Sequence, residues 1–249
     1  MSIIRHAPIA PTHTRYLTGD DRIDRHRHDD HQLVFPSSGA AEVRTAAGSW
    51  IAPGDRAIWI PAGCWHEHDF HGPTRFHTVG FAAHRTLGHR TPLVLTVTPL
   101  VRELIIACTT AEDLPAAELD RMREVLLDQL RRSPEQPLRL PVPTDPRLRA
   151  ACALVDADLT AGRTLAELGR TVGASERTLT RLFRAELGMT YPQWRTHLRL
   201  HRATRLLAEG DPVTSVALNC GWSSPSAFID VYRRFFGHTP GSRRSAPGM

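Results

Sequence analysis

The sequence contains no lysine, so all 31 of its Lys and Arg positions are arginine. Lysine-borne chemistry is excluded, and positive charge is carried only by planar, multidentate guanidinium groups. Cysteine is scarce and scattered: Cys64, Cys108, Cys152 and Cys220 form no Cys-x-x-Cys pair. That excludes a dense disulfide framework and suits reduced thiols in a cytoplasmic protein. No apolar run approaches the ~18–20 residues needed to span a bilayer, so no membrane partner is expected. No long apolar stretch follows the basic residues of the N-terminal segment, so no secretory signal is expected either. What remains is 249 residues, 41% hydrophobic, enough for one large domain or two ordinary ones.

Charge divides the chain. The formal net charge is +5. From Asp145 onward there are 15 Arg against 9 acidic residues, whereas residues 1–144 hold 16 against 17. All the excess basicity therefore sits in the C-terminal part. A near-neutral module joined to a basic one suggests that the second meets a polyanion, although a basic face also serves solubility.

Residues 31–81 read as short strands. Gln32–Phe35 is expected to end at a Pro36–Gly39 turn, Ala41–Thr45 at Ala47–Gly48, Trp50–Ala52 at Pro53–Asp55, and Ala57–Ile60 at Pro61–Gly63; Phe76–Phe81 follows. Strands at ~8–12-residue spacing predict an antiparallel sandwich or small barrel over residues 1–92. Residues 93–132 turn helical. Thr98-Pro99 is a cap followed by proline, with Leu100, Leu104, Ile105 and Cys108 on one face. A second run carries Leu119, Met122, Leu126 and Leu130. These helices either cap the core or meet their copies in a homodimer. Residues 133–146 hold five prolines and mark an extended linker.

Residues 147–249 are patterned as helices, and one pattern occurs twice. Thr164-Leu-Ala-Glu167 fits a capping box and opens a helix that stops at Gly173; Ser175 caps the next, which runs to Gly188. Asp211-Pro212 to Gly221, then Ser224-Pro225 to Gly237, repeats the arrangement after 48 or 49 residues. Two helix-turn-helix patterns are joined by a helix of ~18 residues beginning at Tyr191, about 27 Å long.

Residues 147–244 resemble the DNA-binding domain of AraC/XylS-type transcription regulators. The resemblance rests on Gly221-Trp-Ser-Ser-Pro-Ser-Ala-Phe, the Phe-Gly-His-Thr-Pro element ending at Pro240, and Arg-Leu-His-Arg-Ala at Arg199–Ala203. The N-terminal half resembles the cupin sensor domain of one branch of that family. The resemblance implies an all-β cupin-like barrel with appended helices, an all-α domain with two helix-turn-helix units, double-stranded DNA as partner, and a small-molecule effector in the barrel. The first recognition helix would present Arg177, Thr180 and Arg181 to bases and Arg184 to phosphate. The second would present Ser226, Ile229 and Asp230 to bases, with Arg233 and Arg234 on phosphate. An acidic residue departs from the family's usual pattern at Asp230, so the second unit is expected to contribute mainly backbone contacts.

The densest polar feature is His26-Arg-His28-Asp-Asp-His31-Gln32. Cupin metal motifs place two histidines and a glutamate here, then a further histidine, matched by His66. Gln32 stands where the acid is usual. His26, His28 and His66 could bind a divalent transition metal. They could equally line a metal-free effector pocket with Gln32, His68, Phe35 and Trp59, or be structural. His31 is expected to face away from Gln32. Without catalytic residues to name, the reading is a ligand-responsive regulator and not an enzyme. The competing reading is a metal-dependent cupin dioxygenase or isomerase with a DNA-binding tail.

Overall fold

The computed structural model describes residues 4–111, 114–136 and 138–242. The chain forms two compact units that divide between Arg139 and Leu140.

The first unit is a sheet with two helices. Its elements are β1 (Arg5–His6), β2 (His13–Leu17), β3 (Arg22–Arg27), β4 (His31–Thr45), β5 (Gly48–Pro53), β6 (Arg56–Ile60), β7 (His66–Phe81) and β8 (Leu93–Thr96). Then come α1 (Pro99–Thr110), α2 (Ala116–Arg132) and β9 (Glu135–Gln136), and the division between the units falls within β10 (Arg139–Pro141). The long strands β4 and β7 pair along most of their length, from His31 against Phe81 to Arg44 against Glu67. Along its other edge β7 pairs first with β3 and then with β2.

The expected turn at Pro36–Gly39 is absent, and β4 runs straight through it. The reason is a change of partner. Residues 32–34 pair with β6 and residues 40–45 with β5. Between them one edge of β4 is unpaired and the register against β7 shifts, so Pro36 forfeits no ladder hydrogen bond there. Strands β2 and β3 carry too many polar residues to stand out in the sequence, yet both join the sheet.

Thr98 accepts from Val101 N and caps α1, as its sequence predicts. Val101, Ile105 and Cys108 of α1 and Leu126, Leu127 and Leu130 of α2 pack on Leu33, Phe35, Trp59, Val79 and Phe81. Leu104, Ile105 and Cys108 face inward as expected, while Val101 is buried in place of Leu100, which turns outward at 52% exposure. Fully buried His77 joins three strands to α1. Its Nδ1 lies 2.9 Å from the hydroxyls of Thr14 and Thr109, and its Nε2 lies 2.9 Å from that of Ser37. Strand β9 extends the sheet beside β8, so the proline-rich segment begins as part of this unit.

The second unit is all helix: α3 (Pro146–Ala157), α4 (Leu165–Val172), α5 (Glu176–Leu187), α6 (Tyr191–Ala208), α7 (Val213–Asn219) and α8 (Pro225–Phe236). Local chemistry sets these boundaries. Thr164 and Glu167 form the reciprocal capping box on α4, Ser175 caps α5, and Ser224 caps α8. Gly169 permits the tight α4–α5 turn, since a Cβ there would lie 2.3 Å from the Ala174 carbonyl oxygen. Leu168, Leu179, Leu182, Phe183, Tyr191 and Trp194 share one core with α3.

Candidate functional sites

Four histidines converge in the first unit. His26 on β3 sits directly across from His66 on β7, with ring centroids 4.2 Å apart. His68 follows two residues after His66 on the same face, 5.0 Å away. His28 lies 4.9 Å from His26 and 5.5 Å from His66. Phe70 and Phe76 extend the cluster, Phe76 meeting His68 edge-on at 5.5 Å.

Backbone carbonyls fix three of the rings. The Nδ1 of His26 is 2.7 Å from Asp24 O, that of His28 is 2.9 Å from Ala7 O, and that of His66 is 3.0 Å from Cys64 O. Carbonyls only accept, so each Nδ1 donates and each Nε2 of the neutral ring keeps a lone pair. The His28 Nε2 and His68 Nδ1 atoms are buried without a hydrogen-bond partner among the described residues. Burial, reinforced by the neighbouring imidazoles, pushes His66 down to about 3 and His68 well below the usual histidine range. Burial lowers His26 as well. These three rings are therefore neutral at pH 7.

The acidic residues of β7 alternate away from this cluster. Asp69 pairs with Arg22 and Arg44, and Glu67 with Arg25 and Arg44. Gln32 reaches the cluster from β4, its side-chain oxygen placed 3.0 Å from His66 Nε2.

One sequence expectation needs correction. Phe35 and Trp59 do not line this site. Trp59 pairs with Leu33, and Phe35 is three residues from Gln32, so strand parity turns both toward α1 and α2. His26, His66 and His68 offer ligand atoms within 4.8 Å of one another. The His28 ring lies beside them, with Nε2 buried and without a hydrogen-bond partner among the described residues. His31 faces away from Gln32 and is structural: it accepts from Ala62 N, donates to Ala83 O and stacks on Trp59.

In the second unit, Leu179, Leu182 and Phe183 point inward, leaving Arg177, Arg181 and Arg184 exposed and Thr180 half-buried on the outer face of α5. None of these three arginines pairs with another described residue. On α8, Ser226, Asp230, Arg233 and Arg234 are exposed and Ile229 is half-buried. Asp230 lies 3.4 Å from Arg233, one helical turn on. Arg195, not singled out from the sequence, and Arg199 of the Arg-Leu-His-Arg-Ala motif hold the unit together. Arg195 donates to Leu159 O and Ala161 O, while Arg199 donates to Leu159 O and lies over Trp222. Gly221 abuts that same Leu159 carbonyl, so one loop is pinned between the two halves. Glu186, at the far end of α5, accepts from Thr144 N, Thr144 Oγ1 and Asp145 N.

Residues 12–105 match the AraC-like ligand binding domain, and residues 168–246 match a helix-turn-helix domain. The HTH-type transcriptional regulator NimR of Escherichia coli is 31% identical over 87% of this chain and 80% of its own length. The chain belongs to the AraC family of transcription regulators. The HTH-type transcriptional regulator ArgR of Pseudomonas aeruginosa shares 31% identity over 49% of the chain and 39% of its own length. A transcriptional regulator structure from Chromobacterium violaceum is 34% identical over 41% of this chain and 96% of its own, with a TM-score of 0.38. As an AraC-family regulator, the protein is a DNA-binding transcription factor with a ligand-binding N-terminal domain. Among the described residues, no helix is long and apolar enough to cross a membrane.

Proposed function

We propose that this regulator reads duplex sequence chiefly through α5. Arg177, Thr180 and Arg181 make the base contacts, and Arg184 holds phosphate. The observation that carries this reading is the outer face of α5, where the guanidinium groups are exposed and unpaired while the apolar residues are spent inward. Arginine is suited to guanine O6 and N7, and each such bidentate contact discriminates by about 1–3 kcal/mol. Helix α8 adds backbone contacts through Arg233 and Arg234, with base reading by Ser226, Ile229 and Asp230 secondary because the Asp230 carboxylate is engaged by Arg233. A connecting helix of 18 residues suits two reading helices about one DNA turn, ~34 Å, apart.

The effector site of this reading is the histidine cluster with Gln32, Phe70 and Phe76. Occupancy shifts DNA binding to the extent that the effector's affinity differs between the two states. Outward-facing Leu100 on α1 and Val125 on α2 support self-association. The test is selection from a random duplex library with the purified full chain. The expected result is an enriched motif with two parts about one helical turn apart. Binding that depends on salt alone, with no enriched sequence, would overturn the reading.

A further inference from the structure

We propose that the ligand-binding unit carries a divalent transition-metal site whose protein ligands are His26, His66 and His68, and that the cation draws in an anionic effector. The second half rests on the effector reading above.

The donors fit the group. Their ligand atoms lie within 4.8 Å of one another. Nitrogens around one ion at ~2.0–2.1 Å stand about 3.4 Å apart, so small ring movements close the set. His26 and His66 each commit Nδ1 to a backbone carbonyl, which leaves Nε2 as a lone pair, that of His66 facing the Gln32 side-chain oxygen 3.0 Å away. This is the outer-shell arrangement that orients metal-binding imidazoles. His68 contributes the second kind of observation: its ring is 1% exposed, and its Nδ1 has no partner among the described residues. A histidine serving only the core would satisfy that atom, as His31 does on both sides.

Charge balance then fixes the effector class. The cluster is all imidazole and amide. Glu67 and Asp69 alternate outward onto Arg22, Arg25 and Arg44, and Gln32 brings no charge. A divalent ion held by neutral nitrogens keeps its full charge inside a poorly hydrated site. Three protein ligands also leave a coordination position open. A small organic anion fills that position and offsets the charge, and Phe70 and Phe76 suit an apolar body attached to it.

The experiment uses the full chain, stripped with a chelator and titrated with Co(II), followed by visible absorbance and metal analysis. One ion per chain is expected, with bands that change when azide is added as the anionic probe. His68→Gln and His26→Gln should each weaken Co(II) about 100-fold or more, whereas His28→Gln should weaken it by less than about tenfold. His26 lies on a half-buried strand position, so His26→Gln serves as the tolerated variant if His68→Gln fails to fold. No stoichiometric ion would overturn the proposal. Unchanged binding in His68→Gln, with loss in His28→Gln, would overturn the ligand set. Co(II) bands indifferent to azide would overturn the anionic effector. Sequence selection by the metal-free chain separates these failures from failure of the DNA reading.

Discussion

Gln32 places its side-chain oxygen 3.0 Å from the Nε2 of His66. With Nδ1–H of His66 given to the Cys64 carbonyl, the neutral ring shows Gln32 a lone pair. The two facing atoms are both acceptors, an arrangement that a bound cation would satisfy. A glutamate at this position would accept only, or add a fourth ligand to a cation. Gln32→Glu is therefore expected to tighten Co(II) binding by about tenfold or more and to weaken the response to azide, since the carboxylate takes the place of the anion. Competitive titration against a chromogenic chelator measures both.

Arg181→Ala is expected to relax sequence preference, costing about 1–3 kcal/mol on the selected site and little on scrambled duplex. Arg233→Ala is expected to weaken both about equally and to lower the salt dependence of binding by about one counterion. Anisotropy titrations on matched and scrambled duplexes separate the two. An equal loss on both sequences for Arg181→Ala would remove it from the base-reading set.

His77 predicts an acid sensitivity. Burial, then the nearby Arg75 and Arg102 cations, lowers its pKa to about 4. The unfolded chain, with histidine near 6.5, binds the proton more readily between those values. Acidification through that window therefore removes stability, and the contribution is complete above pH 6.5. The total for His77 is at most about 3 kcal/mol. His26, His66 and His68 act in the same direction, so the measurable quantity is a difference. His77→Asn should show a shallower fall in melting temperature from pH 6.5 to 4 than the unaltered chain.

Two glycines with similar backbone angles should respond differently to alanine. Gly221 has φ +74° and would place a Cβ 2.1 Å from the Leu159 carbonyl oxygen; Gly237 has φ +82° and open space. Gly237→Ala is expected to cost about 1–2 kcal/mol, from the left-handed conformation alone. Gly221→Ala adds a backbone collision at the loop pinned by Arg195 and Arg199, and should cost about 2–4 kcal/mol. Urea unfolding of the two variants provides the comparison.

The helical unit was legible in the sequence because its signals are local. Thr164, Ser175 and Ser224 each cap within three residues, and Gly173, Gly188 and Gly237 each end a helix in the left-handed region. The sheet was less so, because its logic lies in pairing. Pro36–Gly39 has the composition of a turn and becomes a strand because β4 exchanges β6 for β5 across it. Phe35 and Trp59 look like pocket aromatics until cross-strand parity assigns them to the helix-covered face. His68 ranked behind His28 in the motif spacing. Only the register of β3 on β7, with its shift between Ile23 and His26, brings His68 into the tight set.

Glu186 gives the end of the linker an unusual anchorage. Residues 144 and 145, where the chain enters the DNA-binding unit, are hydrogen-bonded to Glu186 of α5, the helix proposed to read the bases, and the Thr144 carbonyl also accepts from Arg149 of α3. Loss of the Glu186 carboxylate would therefore detach the entry to this unit from the proposed reading helix itself.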